Sequence, residues 1–362
     1  MKTQIEISRN RRNEIKEIVL KTLRESGFNS LPVDIKSITK HFSNIRLIPY
    51  SVQMKTHNLT LDEVIDFAET RHSCVDLIIA NGKKHYIIYY NDISRFIAKP
   101  YKRYRWNIAH ELGHVLLEHN NEKTRFFRRG LTDSEYDILE AEADYFAQLI
   151  LVPHAAMLEF PVTRNYIRVR CEISDGASWH RWNDYSRWKL FRDPKDEYDK
   201  EIYFHYFSFM YKQKCFTCNA ALIQRYGKNC PICGEKTLKW GDGEMKYKEY
   251  ETCEKGRLLE CLRCDSEDLL GKHCHICAVP VENYCTFAIA YDYPHDDQCT
   301  YRDTLPSNAR FCYSCGREST FKESNLLIDW KTERDTLIEE ERLEAEARRL
   351  PFSTEIDELP FN

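Results

Sequence analysis

Glycine is scarce in this chain, at 12 of 362 residues. None falls in a G-x-x-x-x-G-K-[ST], G-x-G-x-x-G or G-x-S-x-G pattern, which leaves phosphate-cradling loops, dinucleotide fingerprints and nucleophile elbows without a motif. Nucleotide-driven chemistry is therefore disfavoured. Long apolar runs are also missing: mean hydropathy is -0.61, and no stretch approaches the roughly 18 residues that a membrane helix needs. The opening MKTQIEISRNRRNEIK is too polar for a secretory h-region. A cytoplasmic protein with no membrane partner is the expectation. The length predicts two or three domains at roughly 100 to 200 residues each.

Charge and cysteine are unevenly spread. The formal net charge is only -4, yet residues 1–130 carry 23 Lys/Arg against 14 Asp/Glu, and residues 131–362 carry 30 against 43. Thirteen of the 15 cysteines lie between Cys215 and Cys315, mostly as C-x-x-C pairs. Without an export signal, that spacing reads as zinc in a reducing compartment rather than as a disulfide framework.

The patterning predicts an α+β domain over residues 1–160. Ile15, Ile18, Val19 and Leu23 share one helical face that ends at Gly27, a C-cap residue. A short helix near Val33 to His41 follows, then β-rich runs at 45–48, 75–80 and 86–90, the last two flanking Asn81-Gly82 as a hairpin with a tight turn. Helical patterns return at Tyr104 to His119 and at Thr132 to Leu151, where Thr132 and Glu135 have capping-box spacing. Residues 161–214 are aromatic-rich (Trp179, Trp182, Trp188) and read as a helical packing subdomain rather than a nucleic-acid stacking surface. Residues 215–320 hold the cysteine array, and 321–362 a charged helical run with a disordered tail. The acidic tip, Asp357 to Asn362, reads as solvated chain despite a likeness to the tips of single-stranded-DNA-binding proteins.

The sharpest motif is His110-Glu111-Leu112-Gly113-His114. Two His four apart lie about 40° apart around a helix, so both imidazoles reach one Zn²⁺, and Glu111 is placed as the base of a metal-assisted hydrolysis. The motif alone does not decide the matter, because its two His also fit a surface helix with no metal. A second helical run, EAEADYFA, begins 26 residues after His114 and supplies a third ligand. Glu140 and Asp144 share a face, whereas Glu142 is turned about 200° from Glu140. Glu140 is thus the expected ligand, Asp144 the carboxylate that orients a ligand imidazole, and Glu142 a bystander. Leu117 and Asn120 stand where a metzincin needs Gly and His. His119 reads as a packing or surface residue. In the expected mechanism Glu111 takes a proton from water and delivers it to the leaving amine.

The run IIYYND, then RYRWNIAHELGHVLLEH, then EAEADYFAQLILVP resembles the ImmA/IrrE family of zinc metallo-endopeptidases over roughly residues 10–160. The resemblance implies a zincin-like fold, with His110, His114 and Glu140 as ligands of a catalytic zinc and Glu111 as acid/base. It also implies cytoplasmic cleavage of a helix-turn-helix repressor, and so a part in transcription regulation. The stretch from Glu282 to Thr320 resembles zinc-ribbon tails of some bacterial members.

In the array, Cys215, Cys218, Cys230 and Cys233 form one expected Cys₄ site, and Cys261, Cys264, Cys274 and Cys277 a second. The paired knuckles are separated by 11 and 9 residues. Cys285, Cys299, Cys312 and Cys315 form a looser third set, making two or three structural zinc ions beside the catalytic one. Cys74, Cys171 and Cys253 are left as ordinary thiols. Each Cys₄ site bound to Zn²⁺ carries about -2, which favours protein docking by the ribbons over nucleic-acid binding, although Lys236, Lys239, Lys246 and Lys248 are placed to contact a strand. A contrasting reading is a zinc-ribbon adaptor or nucleic-acid-binding regulator whose peptidase-like domain is not catalytic. The intact Glu111 argues against it. Two further expectations concern substrate: pairing along Tyr86 to Tyr90, and docking on Arg95, Lys99, Lys102, Arg103 and Arg105.

Overall fold

The computed structural model describes residues 6–93, 101–119, 132–288 and 299–349. Arg95, Lys99 and the acidic tip lie outside them. The chain divides into two compact units, residues 1–210 and 211–362.

In the first unit, α1 (Arg9–Ser26) buries Ile15, Val19 and Leu23 and stops at Gly27, whose left-handed φ of 66° suits a residue without a Cβ. Helix α2 (Ile35–His41) is capped by Asp34 and leads into β1 (Ile45–Pro49). Two short helices follow, α3 (Tyr50–His57) and α4 (Leu61–Ala68), the latter opened by a Thr60/Glu63 capping box. Strands β2 (Ser73–Ala80) and β3 (Lys83–Tyr90) form the expected hairpin, with Asn81 and Gly82 both at positive φ as a type I′ turn requires. The sheet order is β1-β3-β2, with β1 parallel and β2 antiparallel to β3. This corrects one expectation. The run Tyr86 to Tyr90 is paired on both sides, by residues 45–49 and 73–77, so its backbone has no free edge for a substrate.

Against the sheet lies α5 (Tyr101–Leu116), and against α5 lies α6 (Asp133–Leu151), opened by the Thr132/Glu135 capping box. Gly113 lets the two helices meet closely. A Cβ there would stand 3.2 Å from Ala143 Cα, Ala143 O and Phe146 Cδ1, tight enough to push α6 away. A mid-helix glycine costs about 1 kcal/mol relative to alanine; here it permits the approach that brings Glu140 to the histidines. Helices α7 (Arg164–Arg170), α8 (Asp175–Phe191), α9 (Glu197–His205) and α10 (Phe207–Tyr211) complete the helical part. Tyr185 and Trp188 pack on His154, and the Trp188 indole donates to Asp199 Oδ2 at 2.8 Å. These rings act as packing, although Trp179 and Trp182 are exposed.

The second unit has little regular structure: β4 (Lys212–Cys215), β5 (Ala221–Ile223) and β6 (Leu238–Trp240) in the order β5-β4-β6, then α11 (Thr320–Glu323) and α12 (Trp330–Arg349). Its apolar cores are small, and each is built around one cysteine set: Ala220, Ile232, Met245 and Tyr247 around the first, Leu258, Leu269, Val279, Val281 and Phe321 around the second, Leu305 and Ala309 around the third. Cores of this size need a staple.

Candidate zinc centres

The three cysteine sets come together as the spacing predicts. Sulfur pairs stand 3.5 and 3.6 Å apart in the first (Cys215–Cys233, Cys218–Cys230) and in the second (Cys261–Cys277, Cys264–Cys274), and 3.5 and 3.7 Å in the third (Cys285–Cys315, Cys299–Cys312). A tetrahedron with Zn–S bonds of about 2.3 Å has edges of about 3.8 Å, whereas a disulfide is about 2.05 Å. The sulfurs fit zinc. Each C-x-x-C is followed by a residue at positive φ: Asn219, Gly234, Asp265, Ala278 and Gly316. The N–H of that residue returns to the first cysteine's carbonyl at 2.7–3.0 Å and closes the knuckle. Cys74, Cys171 and Cys253 belong to none of these sets.

The fourth cluster is His110, His114 and Glu140. Helix α5 presents the two imidazoles on one face, with Nε2 atoms 3.1 Å apart. Helix α6 presents Glu140 so that Oε2 is 3.3 Å from His110 Nε2 and Oε1 is 3.5 Å from His114 Nε2. Two nitrogens and one carboxylate thus converge on one point, the donor set that suits a catalytic zinc with an open position. Among the described residues, no lysine or arginine forms an ion pair with Glu140. Asp144 Oδ1 lies 2.9 Å from His110 Nδ1. Glu111 is buried and accepts a hydrogen bond from Ser73 Oγ at 2.8 Å.

Burial would by itself depress the His110 imidazole, but hydrogen bonds to Asp144 and Glu140, with the charges of Glu111 and Asp144, raise it to about 10. Glu140 is held well below the usual carboxylate range: its own burial works against this, and the hydrogen bonds from His110 and His114 outweigh it. In the metal-free chain at neutral pH, His110 therefore holds a proton that a zinc ion bound there would displace. Zinc affinity at this centre is expected to rise about tenfold per pH unit from neutral up to about pH 10, with about one proton released per ion. Chelator competition at several pH values, with the cysteine sites kept filled, checks this. A flat profile would contradict it.

Glu142, expected as a bystander, and His119, expected as a packing or surface residue, meet in a buried contact. Glu142 does turn away from the donor set, yet its side chain is buried and its Oε2 lies 3.0 Å from His119 Nε2 and 2.8 Å from Arg11 Nε. His119 in turn places Nδ1 2.9 Å from His114 Nδ1. Burial, followed by the nearby His114 and Arg11, lowers the His119 imidazole to about 3 and keeps it neutral. Helical spacing does not reveal His119, because it lies beyond the end of α5, where Glu118 at φ 58° turns the chain back. Ser73 comes from another element altogether. Arg105 also departs from expectation: it is buried, with Nη1 3.0 Å from Glu172 Oε2, and so presents no docking charge.

These histidines and Glu140 stand inside a region that comparison with protein families identifies. Residues 80–180 match the IrrE N-terminal-like domain, Peptidase_M78. The matched Peptidase_M78 region spans β3, α5 and α6, and its match supports a metallopeptidase-like function. Comparison with curated proteins finds no match to the chain. No helix among the described residues is long and apolar enough to cross a membrane.

Proposed function

We propose that the chain is a zinc endopeptidase of the H-E-x-x-H type with a glutamate as third ligand. The observation that carries this is the convergence of His110 Nε2, His114 Nε2 and the Glu140 carboxylate beside a buried Glu111, inside the matched metallopeptidase region. A zinc ion held by these three groups would supply a Lewis acid for the scissile carbonyl and lower the pKa of a water. Glu111 then acts as the acid/base, taking the proton of the attacking water and passing it to the leaving amine. Ser73 Oγ, donating to one oxygen of Glu111, fixes the carboxylate and leaves the other oxygen for that transfer. Asp144 keeps the His110 Nδ1 proton in place.

An edge of the sheet offers extended substrate a seat. Strand β2 is an edge of its sheet among the described residues, and its first residue, Ser73, already touches Glu111. Main-chain pairing along β2 would hold a peptide with little demand on its sequence, so selectivity falls to a folded partner. In keeping with the family resemblance, the substrate is a helix-turn-helix repressor, cut at one site in the cytoplasm, with the ribbon unit recruiting protein rather than nucleic acid. Exposed Arg103, beside His72 at the start of β2, is a docking contact near that edge.

The test incubates the full chain, its cysteine sites filled and its His110, His114 and Glu140 centre with or without zinc, with the helix-turn-helix regulators encoded beside its gene. Zinc-dependent cutting at one site is expected; zinc-loaded protein that cuts none of them would overturn the substrate assignment. Docking further predicts that a short peptide spanning the cut site is cleaved at least ~10-fold more slowly than the folded partner, and that Arg103→Glu narrows the gap. Equal kcat/KM for the two substrates would remove docking and leave a general peptidase.

A further inference from the structure

We infer that His119 and Glu142 are positioning residues for the metal ligand His114, joined to it in one buried hydrogen-bond chain that ends on Arg11. This rests on the zinc-centre reading above and concerns how one ligand is held. His114 turns Nε2 toward His110 and Glu140, so that nitrogen must offer its lone pair to the ion and the ring proton must sit on Nδ1. His114 Nδ1 faces His119 Nδ1 at 2.9 Å, which therefore accepts. With Nδ1 accepting, the ring proton of His119 is on Nε2, which faces Glu142 Oε2 at 3.0 Å, and a carboxylate can only accept. Arg11 can only donate, and its Nε meets the same oxygen at 2.8 Å. Every polar contact has one donor and one acceptor under a single proton assignment, and the accept-only Glu142 carboxylate, held by Arg11, fixes its direction.

The setting gives the chain force. The side chains of His114 and His119 are each 2% exposed and that of Glu142 8%, so water has little room to replace any of these three, and a buried network left half-satisfied is costly. The backbone serves the same end: His119 N donates to His114 O at 3.0 Å, and Arg11 Nη2 lies 3.4 Å from Leu117 O. His110 is held differently, directly by Asp144, whose side chain is 50% exposed. One ligand thus has a short support open to solvent. The other has a dry support that reaches α1 and orients the His114 lone pair while making the ring a better donor.

The experiment compares zinc affinity at this centre in the full chain, cysteine sites filled, for wild type, His119→Leu and His119→Gln, with the visible spectrum of the cobalt-loaded centre as a second readout. Gln can accept from His114 and donate to Glu142; Leu fills space and does neither. His119→Leu should weaken zinc by about 10- to 100-fold and shift the cobalt spectrum, while His119→Gln recovers most of both. Equal affinity in folded His119→Leu, or Gln no better than Leu, would overturn the inference and leave the zinc centre standing. Wild type that binds no ion at this centre would overturn both. Nitrogen NMR of zinc-loaded wild type needs no variant: His114 protonated at Nδ1 and His119 at Nε2 are expected, and His119 protonated at Nδ1 would contradict the chain.

Discussion

Glu111→Gln should lower kcat by at least about 10²-fold, the lower bound for a positioned acid/base, with zinc content unchanged. The expectation follows from where the carboxylate lies. Its nearest partner is Ser73 Oγ at 2.8 Å, and the cluster with metal-ligand geometry comprises His110, His114 and Glu140 without it. Gln keeps the size and can still accept from Ser73, so the pocket survives while proton transfer is lost. KM should move little, because the amide leaves the β2 edge untouched. His114→Ala must behave otherwise, losing zinc and hydrolysis together. Peptide cleavage read beside elemental zinc separates the two. Activity retained in Glu111→Gln would mean that another group carries the proton.

Cys230→Ser should have the largest structural effect. Binding free energies of structural zinc are about 10–16 kcal/mol in small zinc domains, comparable to the whole stability of an ordinary domain, and the core beside Cys230 holds only a few apolar side chains. The loss should not stay local. The carbonyl of Pro231, next to Cys230, accepts the N–H groups of Arg310 and Phe311 at 2.8 and 3.0 Å, and Lys228 N donates to Tyr313 O at 2.8 Å. The first and third cysteine sites thus share backbone hydrogen bonds. We expect Cys230→Ser to release zinc from both and to open the second unit to protease, while the first unit, with its own core, keeps its thermal transition. Retention of the full zinc complement would contradict both the ligand role and the interlock.

The sequence shows most clearly what short-range physics decides. Helix α1 ends at Gly27, the hairpin turns at Asn81-Gly82 and α6 opens at Thr132 because cap and turn chemistry acts within a few residues. The helix-face argument selects Glu140 and Asp144 over Glu142 for the same reason, since 100° per residue applies wherever the helix packs. What it misses depends on tertiary approach. Tyr86 to Tyr90 looks like an available strand, and only the parallel partner β1, about 40 residues earlier in the chain, closes its second edge. Ser73 reaches Glu111 from another element. Glu142 does point away from the ligand cluster, and its contacts lie in that second direction, toward His119 and Arg11, which no helical wheel of α6 contains.

The most direct test of the zinc-peptidase account is the elemental zinc content of the full chain, purified with zinc in excess, beside that of Glu140→Ala. The three cysteine sets and the His110, His114 and Glu140 cluster share no residue, so the account predicts four zinc ions per wild-type chain. It predicts three in Glu140→Ala, with cleavage lost in step. Four ions in both, or a wild-type chain that stops at three, would show that His110, His114 and Glu140 are not a zinc centre.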